Sequence, residues 1–241
     1  GDSRAAQHRP RETRVDRQVG GNDRDTAGAR DENLVLGKQP VEFVDETGQR
    51  ADELPALRHE LLRQIEGDAS DETGINHGAL NGGTFISGRI GQAVSLNGTS
   101  DFVDCGNHPS LNFDAASSFT VSMWIRRSSL ALLEQDLIAK YSQSWQGWRV
   151  GLVVWGTSQM KVYFGAGNTT KAYYTYGAFI GDTDWHHIAA VLDRSTNTIC
   201  IYTDGYPSAK VTIPAGFDVN PAFFNLNIGR RNAALKRYFE G

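Results

Sequence analysis

Chemistry needs particular side chains held together, and this sequence offers a few candidates. Trp185-His186-His187 sets two imidazoles side by side, the side chain that binds zinc or moves protons near neutral pH. On a strand, neighbouring residues point to opposite faces, so these two rings would not converge on one ion. Cleavage of a glycosidic bond needs carboxylates on one face, which period-two geometry delivers as E-x-D-x-E. The nearest match, Glu134-Gln135-Asp136-Leu137-Ile138, lacks the third acid and reads as a loop. There is no glycine-rich phosphate loop and no G-x-S-x-G nucleophile elbow. A hydrolase is the least favoured reading, and no catalytic residue is assigned.

Sugar contact without catalysis needs aromatic faces beside polar groups. The segment Tyr141–Trp148 (YSQSWQGW) carries Trp145 and Trp148 among glutamines and serines. Lys171–Tyr176 (KAYYTY) adds Tyr173, Tyr174 and Tyr176. Strand alternation places Tyr174 and Tyr176 on one face and Tyr173 on the other. Trp145, Trp148, Tyr174 and Tyr176 are therefore the candidate ligand-binding residues. The competing reading is that aromatic rings on such strands belong to the core.

The elements that must position these residues are strands. From residue 84 onward the hydrophobic period is two and the punctuation is turn-like. In Phe119–Ile125 the residues Phe119, Val121, Met123 and Ile125 share a face. Trp148–Trp155 and Met160–Phe164 read as a hairpin around Gly156-Thr157-Ser158. Trp185–Leu192 and Thr198–Thr203 form another pair, and Asp204-Gly205 is a hairpin turn leading into Ser208–Ile213. Ala93–Leu96, Asp101–Asp104 and Phe224–Ile228 complete roughly ten or more short strands with no convincing long helix. One apolar face per strand predicts an all-β, antiparallel, two-sheet sandwich or jelly roll.

Composition divides the chain near residue 60. All five tryptophans lie in the later part, and Phe43 is the only aromatic residue before it. Residues 1–30 have too few large apolar side chains to offset the entropy of folding. The domain reading is a charged extension over 1–60, disordered or ordered by a partner, followed by the sandwich over 61–241. The basic cluster Arg9, Arg11, Arg14 and Arg17 is interrupted by Glu12 and Asp16 and reads as a solvated mixed-charge linker. Residues 34–44 could add a strand or an anchoring segment, and 53–66 a helix or turn running into a short strand. A net charge of −4 gives no positive field for nucleic acid. No stretch nears the ~18 apolar residues of a membrane span. Cys105 and Cys200 either bridge or act as small apolar residues, and the second reading is favoured. The start at Gly1, with no signal-peptide core, suggests a processed or excised piece.

Several motifs together carry a family resemblance. Asp71-Glu72-Thr73-Gly74-Ile75-Asn76-His77-Gly78-Ala79-Leu80 resembles the opening of laminin-G-like (LamG) jelly-roll domains of the concanavalin A-like lectin/glucanase superfamily. Gly91–Val103, Pro109–Asn112 with Phe119–Ile125, Trp185–Ala189, Ile201–Gly205 and Asn227–Gly229 match later family motifs, in the family's order. The resemblance makes Trp185-His186-His187 a fold motif. It implies that the loop holding Asp71 and Asn76 is one that often builds a structural calcium site, with Asp101 as a second carboxylate. The alternative is that Asp71 and Asn76 stabilise turns. The family's closing strand would fall after Gly241, so either the fragment was cut there or a partner supplies a strand to the open edge. The resemblance further implies a non-catalytic binding or adhesion module for a glycan or surface protein, secreted or at the cell surface. A structural subunit of a larger assembly is the alternative.

Overall fold

The computed structural model describes residues 60–61, 67–71, 74–141, 145–220, 223–232 and 237–241. The expectations for residues 1–59 and most of 53–66 lie outside that set. Among the described residues the chain forms β1 (Glu60–Leu61), β2 (Ala79–Asn81), β3 (Thr84–Ser87), β4 (Gln92–Ser95) and β5 (Phe102–Asp104). A 3-10 turn at Pro109–Leu111 leads to β6 (Phe119–Arg126), β7 (Gln135–Tyr141), β8 (Gly147–Trp155), β9 (Gln159–Gly167) and β10 (Ala172–Phe179). Then follow β11 (Trp185–Asp193), β12 (Thr198–Thr203), β13 (Tyr206–Pro207), β14 (Val211–Thr212) and β15 (Asn227–Ile228).

One sheet runs β1-β6-β11-β12-β13, with β14 also on β12; the second runs β10-β9-β8-β7-β15-β5-β2. β3 and β4 make a separate hairpin. The pairings are antiparallel except for β1 on β6. This is the predicted antiparallel two-sheet sandwich.

Alternation explains how the sheets meet. On β6, Phe119, Val121 and Ile125 are buried and Met123 packs beside them. Trp148, Val150 and Leu152 of β8 and Val162 and Phe164 of β9 belong to the same core. Phe119 sits among the rings, stacked on Phe113 at 4.3 Å and beside Trp148 at 5.2 Å. Phe164 meets it edge-on at 6.3 Å. The Asp204-Gly205 turn has positive φ at both residues, 53° and 85°, as a type I′ hairpin requires.

Three segments differ from the sequence reading. The segment Glu134–Ile138, read as a loop, runs into β7 in the middle of the seven-stranded sheet. Every residue of β7 is buried, and its register shifts between Asp136 and Ile138, so no period-two signal survives. It also buries a lysine: Lys140 Nζ donates to Asn107 Oδ1 and the Phe224 carbonyl, and burial pushes its pKa down to about 8. Ser208–Ile213 reduces to β14, and Phe224–Ile228 to β15, with backbone bonds beyond them from Ser208 N to the Ile201 carbonyl and from Leu226 N to the Gly106 carbonyl. Ser208 Oγ accepts from the Ile201 amide, and Asn225 Nδ2 donates to Asp104. Cys105 and Cys200 are buried thiols rather than a bridge, and burial raises Cys105 to about 12. At the chain's end, Leu96 and Gly241 exchange amide–carbonyl bonds of 2.7 and 3.1 Å.

His186 and His187 do point to opposite faces. His187 Nε2 lies 2.8 Å from Ser122 Oγ, and its ring meets Trp124 edge-on; burial lowers its pKa. His186 lies between two carboxylates, Nδ1 2.7 Å from Asp204 Oδ2 and Nε2 2.8 Å from Asp182 Oδ1. Both ring nitrogens can donate together only in the protonated imidazole. Burial alone would lower this pKa, but the bonds to Asp204 and Asp182 outweigh it, and the net shift is upward.

Two outcomes follow. Phe119→Ala removes the ring that joins both sheets and should cost about 3–5 kcal/mol, read as a lower urea midpoint; a loss under about 1 kcal/mol would contradict the packing. The folded state holds the His186 proton more tightly than the unfolded state does. Its stabilisation is therefore complete below about pH 6.5 and lost as pH rises through the folded value. Melting temperatures between about pH 6 and pH 9 should fall less steeply in His186→Gln than in wild type, by under about 1 kcal/mol for so exposed a pair. Superimposable profiles would show that the clip contributes nothing.

Candidate functional site

The seven-stranded sheet has an inner face packed on the core and an outer face directed away from it. Because β8 sends Trp148, Val150 and Leu152 inward, it sends Arg149, Gly151 and Trp155 outward. β9 likewise directs Lys161, Tyr163 and Gly165 outward. The register Tyr174↔Gly165, Tyr176↔Tyr163 and Phe179↔Lys161 adds the outward residues of β10. Trp155, Tyr176, Tyr174 and Tyr163 thus form a lane of rings along the strands.

Two glycines floor this lane. A Cβ on Gly165 would lie 2.7 Å from Tyr174 Cε1, and one on Gly151 would lie 2.9 Å from Tyr163 Cε1. Both rings therefore lie down on the backbone, where any larger residue would push them away. Tyr174 and Tyr176 are near-parallel, 6.5 Å apart at 25°. Trp155 stands 5.1 Å from Tyr176, and Lys161 Nζ sits 4.3 Å from the Trp155 centroid and 4.7 Å from that of Phe179. Trp155 is 44% exposed and Tyr176 39%, so their surfaces are open to a ligand.

At its inner end the lane meets a buried polar cluster. Tyr163 donates to Asp136 Oδ1 at 2.5 Å, Arg231 Nε lies 3.2 Å from Asp136 Oδ2, and Arg149 Nη1 lies 3.7 Å from Oδ1. The Arg149 guanidinium is framed by the rings of Tyr141, Tyr163 and Tyr174 at 4.6, 5.1 and 5.7 Å. Burial pushes the Asp136 carboxyl up, against the pull of the two arginines, and pushes Tyr163 well up. Asp136 is thus committed to holding neighbours in place. Glu134 pairs with Arg237, and Asp104 accepts from Asn225. What the arrangement offers a ligand is flat apolar surface with donors beside it.

The sequence candidates distribute unevenly over this face. Tyr174 and Tyr176 are on it together, and Tyr173 turns to the other side against Phe217. Trp148 must be withdrawn as a ligand contact: it is 1% exposed, in the core beside Phe119, because its strand parity is inward. Trp145 is 54% exposed, in a positive-φ turn whose carbonyl covers Gly167, at the far end of β8 from Trp155. Asp71 and Asn76 come together, Asp71 Oδ2 accepting from the Asn76 amide while Asn76 Oδ1 accepts from Ser110 Oγ. Asp101 belongs to a different turn, accepting from the Asn97 amide and from Ser100 Oγ. Among the described residues no three His, Cys, Asp or Glu side chains group as a metal site. Trp155, Lys161, Arg149 and Tyr163 were not singled out from sequence, because only the pairing of β8 with its neighbours fixes which of their residues face outward.

Away from this face, a mostly apolar cleft of about 320 Å³ opens between the β3–β4 hairpin and β6 and is lined by Ile86, Val94, Met123, Trp124 and Phe239. Its polar lining includes Ser122 with His187, and Arg89 over the Trp124 ring.

Comparison with known proteins agrees with the architecture. Residues 97–241 match the family Laminin_G_3, described as the concanavalin A-like lectin/glucanases superfamily. Non-toxic nonhemagglutinin of Paraclostridium bifermentans is 29% identical over 136 residues, covering 54% of this chain and 11% of that protein. The match therefore spans only about a tenth of that relative. Domain 4 of a GH43 extracellular arabinanase from Geobacillus stearothermophilus, solved with arabinotriose, superposes with a TM-score of 0.52 at 20% identity, covering 72% of this chain and 82% of that one. A tailspike protein of an Escherichia coli O157:H7 bacteriophage gives a TM-score of 0.52 at 11% identity, covering 76% and 26%. These likenesses are of fold. With the family match across more than half its length, the chain belongs to the concanavalin A-like lectin/glucanases superfamily.

Proposed function

We propose that this chain is a non-catalytic glycan-binding module, working outside the cytoplasm, and that it binds on the outer face of the seven-stranded sheet. The observation that carries this reading is the lane of Trp155, Tyr176 and Tyr174, open on one side and backed by a rigid sheet on the other. Sugar rings present apolar C–H faces that pack on aromatic rings, while their hydroxyls take hydrogen bonds from the edges. Lys161 and the tyrosine hydroxyls are placed for the second task. The arabinanase domain was solved with arabinotriose, which makes that trisaccharide a natural first probe.

A second reading, an assembly element recognising a protein partner, draws on the match to a small part of a much larger protein. Glycan-array screening separates the two readings. Binding to a defined glycan, weakened by about tenfold or more in Trp155→Ala and in Tyr176→Ala at unchanged melting temperature, is the expected result. Silence across the array, or full affinity in both variants, would remove the outer face as a glycan site and favour the protein partner.

A further inference from the structure

The Arg149 guanidinium is unusual for a group so deeply placed. The residue is 8% exposed, yet neither Nε nor Nη1 makes a hydrogen bond among the described residues. Its Nη2 reaches the Tyr174 hydroxyl only at 3.4 Å, and Asp136 stands 3.7 Å from Nη1, beyond hydrogen-bonding range. Asp136 accepts from Tyr163 at Oδ1, and its Oδ2 forms an ion pair with Arg231 at 3.2 Å. Asp136 and the tyrosines favour the charge against burial, but the Nε and Nη1 donors are left without hydrogen bonds. The guanidinium is a planar fork of donors whose best complement is a carboxylate. It lies under Tyr174, one step along β10 from the exposed ring of Tyr176, so the aromatic lane leads to it.

We propose that the glycan bound on this face is acidic, and that a sugar carboxylate engages Arg149 at the Tyr174 edge while neighbouring sugar rings lie on Tyr176 and Trp155. The proposal rests on the outer face being the glycan site. It requires the Tyr174 hydroxyl to yield its long contact to Arg149, a small movement for a half-buried ring. Lys161, half-buried over Trp155 and Phe179 at the other end of the lane, is the competing source of positive charge.

The test uses wild-type chain and matched probes: trigalacturonate against its carboxyl-reduced trisaccharide, and sialyllactose against lactose, by calorimetric titration. The proposal expects the acidic member of at least one pair to bind about tenfold or more tighter. Arg149→Lys, which keeps a charge beside Asp136 but loses the fork, should bring that pair towards parity, whereas Lys161→Gln, which removes a hydroxyl contact common to both members, should weaken both and leave their ratio standing. Parity in wild type with measurable binding would overturn the acidic preference while the glycan-binding reading stands. A preference that survives Arg149→Lys and vanishes in Lys161→Gln would overturn the role of Arg149. No binding of any of the four probes would overturn the acidic preference, while the glycan-binding reading stands or falls on the array. The wild-type comparison decides the preference even if Arg149→Lys folds poorly.

Discussion

The outer face of this sandwich depends on one buried carboxylate. Asp136 has no solvent exposure, and an ion taken out of water is expensive unless its charge and lone pairs are met. Here Tyr163 of β9, Arg149 of β8 and Arg231 beyond β15 all turn towards it. One side chain on β7 therefore fixes the positions of groups from three other places in the chain. Tyr163 is held down over Gly151, and Arg149 is held among the rings of Tyr141, Tyr163 and Tyr174. The aromatic lane is ordered because its inner end is tied to Asp136, so a ligand would not have to meet the entropy of arranging it.

The two faces of the seven-stranded sheet follow different rules. The inner face is a dry aromatic and aliphatic layer, whose close packing around Phe119 needs no polar partner. The outer face carries charge, hydroxyls and glycine. The glycines give away strand propensity, by about 0.5–1 kcal/mol each against alanine, and gain room for rings to lie flat. This division of labour, stability inside and recognition outside, uses a single set of strands.

Much of this was legible in the sequence. The alternation of Phe119–Ile125, the Asp204-Gly205 turn and the split of Tyr173 from Tyr174 and Tyr176 all follow from local rules, and the structure keeps them. Trp148 shows where local reading stops: WRVGLVVW alternates either way, and only the pairing with β7 and β9 decides which parity faces the core. β7 was hidden for a related reason. A strand buried on both faces, with a register shift and two compensated charges, has neither period nor polarity to announce it. The Arg149 cluster gathers residues from 136 to 231, so no spacing within one segment could reveal it. Asp71 and Asn76, suggested for calcium ligation, share one turn, and Asp101 closes another with Asn97.

The claim that the outer face is the binding surface can be tested residue by residue. Amide chemical shifts of the isotope-labelled chain, followed during titration with a glycan found by array screening, would locate the contact. The shifts are expected to concentrate at Arg149, Trp155, Lys161, Tyr174 and Tyr176. Shifts gathered instead around Ile86, Met123 and Trp124 would place the ligand in the cleft beside β6 and contradict the assignment of the outer face.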